Sequence, residues 1–164
     1  MGAGLTDGGS SRRDRWLQTA VRYLARLDRT STQVERFLQR KGATPLQARQ
    51  TVNRLSALRY LNDRAFGERW IEARLARQPM GRERLKAELS NKGIDAPLVD
   101  KILRRALGTA DQETWARRAL VIRERRSRKL SCSQAFRLLH QWGFDEETIE
   151  RIIEERRAAE GSDT

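Results

Sequence analysis

The chain has 164 residues, of which 34% are charged and 6% aromatic, and its 34 Lys plus Arg against 22 Asp plus Glu give a formal charge of +12. This length suits one domain or a few small modules, and three prolines among so many charges favour a helical, well-solvated protein over a sheet protein. The basic excess draws it toward polyanions or acidic protein surfaces. One cysteine, Cys132, excludes an internal disulfide and suits the reducing cytoplasm, and the longest wholly apolar run, Ala119 to Ile122, is too short to cross a membrane.

In chain order, residues 1–14 read as a disordered tail with no hydrophobic stretch for a secretion signal. Gly2 and Thr6 formally fit an acylation pattern, which a Gly/Ser-rich tail explains better. The first predicted helix carries Trp16, Tyr23, Leu24 and Leu27. Thr30 with Gln33 then opens a capping box, in which side chains and backbone donors satisfy one another. That second helix ends at Gly42, a C-cap with Leu38 one turn behind it. Thr44 caps a third helix, Pro45 takes its first position, and Ala48, Val52 and Leu55 follow at helical spacing.

The plan then repeats. Asn62 or Asp63 caps a helix carrying Phe66, Trp70, Ile71 and Leu75; Gly81 starts a helix with Leu89 before the closing Gly93; Asp95 caps one with Val99, Ile102, Leu103 and Ala106. The third copy has Trp115, Ala119 and Ile122, a Ser131–Gln134 capping box, Leu139 before Gly143, and Asp145 ahead of Ile149, Ile152 and Ile153. The closing glycines are 51 and 50 residues apart, and periods of this size mark modular arrays. Helices this short are marginal alone, so each must pack its apolar stripe on its partners. The expectation is an all-α, elongated, curved tandem array of three three-helix repeats: 15–62, 63–109 and 110–157, with a second disordered tail at 158–164. Phe66, Trp70 and Trp115 are expected in the core, since aromatics at helical spacing are usually packing. Trp142 stands where the other copies have Lys41 and Lys92, either exposed or covering its helix end.

Catalytic chemistry has little to stand on. His140 is the one histidine, and a single Cys with a single His makes no zinc site. No Walker loop or G-x-G-x-x-G stretch is present. The carboxylates Asp145, Glu146 and Glu147 fall in a first helical turn, where they complement its dipole. No enzymatic activity, cofactor or metal is expected.

Charge carries the functional reading. Residues 1–62 hold 12 basic and 4 acidic side chains, 63–109 hold 11 and 7, and 110–164 hold 11 and 11, so the net charge falls from +8 through +4 to 0. Basic residues gather at corresponding helix junctions: Arg29, Arg36, Arg40 and Lys41; then Arg77, Arg82, Arg84, Lys86 and Lys92; then Arg125, Arg126, Arg128 and Lys129. A basic edge recurring in every module suits an extended, periodic ligand such as a phosphate backbone or a protein filament.

The stretch LRYLNDRAFGERWIEARLARQPMGRERLKAELSNKGI, Leu58 to Ile94, resembles the central pattern G-Y-L-[DN]-D-x-x-[FY]-A and following basic helix pair of the bacterial RecX regulators of the RecA recombinase. Arg29 to Gly42 resembles that family's N-terminal repeat, and the similarity runs from about Trp16 to Arg156. Arg59 replaces the usual glycine before Tyr60, and Gly67 the usual alanine after Phe66. The resemblance implies a cytoplasmic regulator that lies in the groove of the RecA nucleoprotein filament, limits filament growth, and suppresses strand exchange, ATP hydrolysis and co-protease activity, and so modulates recombination, DNA repair and the SOS response. Its partner would be the RecA filament, with single- or double-stranded DNA touched through the basic edges; a monomer without membrane contact is expected. The alternative is a sequence-nonspecific DNA-binding helical module acting without RecA, since basic three-helix units also occur in helix-turn-helix proteins.

Overall fold

The structure, a computed structural model, describes residues 7–108 and 112–161, with side-chain surroundings for 15–108 and 112–159. Among the described residues the chain is helical throughout, with no strand: α1 (Asp7–Leu24), α2 (Ser31–Arg40), α3 (Pro45–Ala57), α4 (Asp63–Arg77), α5 (Arg82–Asn91), α6 (Ala96–Leu107), α7 (Gln112–Arg125), α8 (Cys132–Gln141) and α9 (Glu146–Gly161). They fall into the three expected sets of three. Helix extends further at both ends than expected, because α1 starts at Asp7 and α9 runs to Gly161. The outer parts of both predicted tails, residues 1–6 with Gly2 and Thr6 and residues 162–164, lie outside the described residues, as do 109–111.

Two compact units are formed. The first comprises the chain through Phe66 together with the turn Lys92–Ile94; the second comprises Gly67–Asn91 and the chain from Asp95 onward.

In the first unit, α1, α2 and α3 enclose Trp16, Ala20, Val34, Leu38, Ala48, Val52 and Leu55, with Ala43 and Leu61 closing the core. Burying a leucine of this kind stabilises the fold by about 1.5–3 kcal/mol. Both helix starts are capping boxes: Thr30 with Gln33, and Thr44 with Gln47. Asn62 Oδ1 accepts from the Ala65 amide at the start of α4. Asp63 reaches instead to α2, accepting from the Ser31 amide at 2.7 Å. Helix α3 ends with Arg59 in the left-handed region, φ 61°, while the Arg59 amide donates to the Ser56 carbonyl and the Tyr60 amide to the Leu55 carbonyl. This is a Schellman ending with arginine where glycine is favoured, at a strain of roughly 1–2 kcal/mol.

The turn Lys92–Ile94 of the same unit is held on the N-terminus of α2. Thr30 Oγ1 donates to the Lys92 carbonyl at 2.6 Å, and Thr32 Oγ1 donates to the Gly93 carbonyl at 2.7 Å. Gly93 has φ +83°, and a Cβ there would fall 2.4 Å from Thr32 Cβ.

In the second unit, Ile71, Leu85, Leu89, Val99, Ile102, Leu103 and Leu107 are buried along α4, α5 and α6. A further core joins Ala116, Ala119 and Leu120 of α7 to Ala135 and Leu139 of α8 and to Ile149, Ile152 and Ile153 of α9. The N-terminus of α5 rests on the turn that ends α8: the Gly81 amide donates to the Trp142 carbonyl at 2.9 Å, and the Glu83 amide to the Gly143 carbonyl at 3.2 Å. A Cβ on Gly81 would lie 2.0 Å from the Gly143 oxygen, and one on Gly143 would lie 2.4 Å from the Arg84 nitrogen. Ser131–Gln134 is a capping box, and Asp145 accepts from the Thr148 amide and hydroxyl. Asp95 holds the N-cap position of α6 but makes no side-chain cap bond. Pro97 removes one of the amides it would cap, and the Leu98 amide is turned to the Asp95 carbonyl.

Candidate functional site

Among the described residues no three His, Cys, Asp or Glu side chains gather to hold a metal, and no helix is long and apolar enough to cross a membrane. The surface chemistry is cationic, and the packing around each basic edge decides which side chains it presents.

In the first edge, Tyr23 and Phe37 stack with centroids 3.8 Å apart and planes 6° from parallel. The Arg29 guanidinium lies over Tyr23 at 5.0 Å, and the Lys41 ammonium lies over Phe37 at 5.8 Å. Cations over ring faces are attracted by the ring quadrupole, by about 0.5–1 kcal/mol at exposed sites. Arg29 is half-buried by this arrangement, whereas Arg36, Arg40 and Lys41 are exposed. The structure thus brings Arg29 and Lys41 onto one aromatic pair and leaves Arg36 and Arg40 on the outer surface of α2.

The middle edge is divided. Lys92, in the first unit, lies over Phe66 at 5.9 Å. In the second unit Arg82 pairs with Asp100 at 3.5 Å. Arg84 pairs with Glu88 at 3.5 Å and donates to the Gln141 carbonyl at 3.2 Å. These two arginines make contacts inside the unit while 36% and 43% of their side chains stay exposed. Lys86 is half-buried and Arg77 exposed. The last edge is the most open: Arg125, Arg126, Arg128 and Lys129 are all exposed between α7 and α8.

Glu88 sits at the centre of a cluster that residue spacing did not reveal. It accepts from Arg74 Nε at 2.9 Å, Arg74 Nη2 at 2.6 Å and the Trp70 indole at 3.3 Å. Burial pushes its carboxyl up, but the hydrogen bonds and charge of Arg74, with help from Trp70 and Arg84, hold it below the ordinary carboxylate value. Trp70 is therefore half-buried and hydrogen-bonded rather than a core residue, while Phe66 is buried. Trp115 is also half-buried, with its indole nitrogen inside and unpaired. Trp142 packs against the α7–α9 core, and its carbonyl receives α5.

Several carboxylates of the third repeat are paired with arginines. Glu113 of α7 is buried and binds both Arg117 and Arg151, Arg117 also binds Glu155, and Arg151 binds Glu147. Arg156 joins Glu124 to the Leu130 carbonyl. Burial raises the Glu124 carboxyl while Arg156 and the Leu130 amide lower it, and the net direction is downward. The Glu113, Glu124 and Glu155 pairs join α7 to α9, whereas Glu147 meets an arginine of its own helix. None of this pairing was legible from sequence except the i, i+4 spacings of Arg84 with Glu88, of Glu113 with Arg117 and of Glu147 with Arg151.

Residues 62–103 match the family described as RecX, second three-helix domain. The "Regulatory protein RecX" of Chlorobaculum tepidum is 31% identical over 143 residues, covering 84% of this chain and 85% of that protein. The protein of the same name from Streptomyces coelicolor is 28% identical over 148 residues, covering 88% and 78%. A crystal structure of RecX from Lactobacillus salivarius superimposes with a TM-score of 0.70 at 24% identity, over 89% of this chain and 97% of that one.

Proposed function

From the chain's membership of the RecX family, we propose that it regulates the RecA recombinase by binding the RecA nucleoprotein filament, limiting filament extension and lowering ATPase, strand-exchange and co-protease activity. Recombination, DNA repair and the SOS response are the processes this would modulate. The observation that carries the reading is the recurrence of an exposed cationic corner beside a helix end, Arg36, Arg40 and Lys41 in one unit and Arg125, Arg126 and Arg128 in the other. A ligand that repeats along its length can meet such corners several times. Weak contacts joined on one chain then gain effective concentration without a deep pocket.

Arg82 and Arg84 are poor probes of this surface, because reversing them would disturb Asp100 and Glu88. The test uses two variants, Arg36→Glu/Arg40→Glu/Lys41→Glu and Arg125→Glu/Arg126→Glu/Arg128→Glu, titrated into RecA ATPase assays on single-stranded DNA. Each is expected to need about tenfold more protein for half-inhibition, equivalent to roughly 1.4 kcal/mol of lost binding. Inhibition equal to the unmodified chain in both variants would remove the basic edges from the interface. Equal affinity for bare DNA and for RecA-coated DNA, falling steeply with salt, would favour the RecA-independent DNA-binding module instead.

A further inference from the structure

From Arg125 to Phe144 the chain holds five Lys and Arg side chains and neither Asp nor Glu. All of α8 lies in this run. Ala135 and Leu139 turn inward to the core shared with α7 and α9, but Phe136 between them is 36% exposed. It lines an open groove of 410 Å³ between α8 and α9, both in the second unit, together with Cys132, Ser133, Arg137, Ile153 and Arg157. Ile153 is a buried core residue, so the bottom of the groove is apolar.

The cations beside it are not taken up by carboxylates. Elsewhere on α9, Arg151 and Arg156 pair with Glu113 and Glu124 of α7. Arg137 and Arg157 are both exposed, and neither forms an ion pair among the described residues. Arg137 Nε donates to the Ser133 carbonyl at 3.3 Å, which lays its side chain back along α8 beside the groove. Arg128 and Lys129, also exposed, stand just before the start of α8. On α9, Glu150 and Glu154 are exposed one helical turn before Ile153 and Arg157. They set a direction: carboxylates of a ligand are favoured toward the start of α8 and disfavoured toward Glu150.

We propose that this groove docks an acidic protein segment that carries an apolar side chain among its carboxylates. The apolar side chain enters between Phe136 and Ile153, while the flanking carboxylates accept from Arg137 and Arg157, in the charge-assisted geometry that guanidinium groups favour. A phosphate strand would satisfy the arginines and leave the apolar bottom of the groove empty.

Cys132 is the single cysteine and lines the groove, so its alkylation by uncharged iodoacetamide reports filling of this groove and of no other basic surface. The probe is a blocked pentapeptide of four aspartates around a central phenylalanine. Labelling of the full chain is expected to slow about tenfold as the peptide approaches saturation. Arg137→Gln/Arg157→Gln should keep its circular dichroism and need about tenfold more peptide for the same protection. Arg22→Gln/Arg49→Gln, which removes two exposed charges from α1 and α3, should need no more than the unmodified chain. Labelling unchanged at about 1 mM peptide would overturn the proposal. So would equal protection by a peptide with serine in place of the phenylalanine, because the groove would then be an anion site without an apolar seat. Stronger protection by a thymidine pentanucleotide, matched in charge, would overturn it in favour of nucleic acid. The experiment contains no RecA, so its failure leaves the filament reading untouched.

Discussion

The Lys92–Gly93 and Trp142–Gly143 turns receive a helix N-terminus at equivalent positions but through different atoms. The first is held by two threonine hydroxyls, the second by two main-chain amides. Threonine at position 30 reaches the turn through its hydroxyl. Glycine at the matching position 81 lets α5 approach until its own N–H groups reach the carbonyls. Thr30 and Thr32 thus make a side-chain contact where Gly81 and Glu83 make a backbone one. Both satisfy helix-end carbonyls that would otherwise be left without partners.

The largest effect should come from removing the close approach. Gly143→Ala combines a left-handed backbone with a Cβ 2.4 Å from the α5 main chain. Strain and overpacking together should cost about 3 kcal/mol in urea unfolding. A loss under about 1 kcal/mol would show that α5 moves aside easily. In the other turn, Thr30→Ala removes a cap and leaves the Lys92 carbonyl without its hydroxyl partner. A loss of about 2 kcal/mol is expected, with faster hydrogen exchange at the α2 N-terminus. Gly42→Ala tests the equivalent turn of the first repeat, where φ is +98° and a Cβ would meet nothing within 4 Å, so strain stands alone. It should cost about 1 kcal/mol, and a loss as large as that of Gly143→Ala would mean an unseen neighbour occupies the site.

The smallest effect is in acid. Because the folded Glu88 carboxyl is held below its ordinary value of 4.5, its contribution is complete above that value and is lost as pH falls through the folded value. Glu88→Gln should flatten part of the acid limb of a stability–pH curve. An unchanged limb would show that the cluster with Arg74 and Trp70 contributes nothing.

Much of this architecture was legible in local spacing. Gly42, Gly93 and Gly143 announced the repeat because a left-handed C-cap admits few other residues, and Thr30–Gln33 and Ser131–Gln134 announced helix starts because reciprocal capping needs a fixed interval. Thr44–Gln47 has the same interval and completes a box where only a cap was expected. Asp95 misled, because capping depends on which amides the following proline removes. Trp70 misled for another reason: amphipathic spacing places a residue on the inner side of a helix but cannot say that a carboxylate 18 positions later will meet its indole. The basic edges were visible as composition, but their division into presented and internally paired arginines was not. Arg82 and Arg84 find Asp100 and Gln141 only once α5 is packed.

The Gly81–Gly143 contact also bears on how such a chain can change over time. Its hydrogen bonds join main-chain atoms on both sides, so it asks only that two positions stay without a side chain. Neighbouring surface residues are left to drift in charge and size as partners demand. A module with glycine at both matching positions, as Gly81 and Gly93 provide in the second repeat, could be duplicated or lost without inventing a new joint.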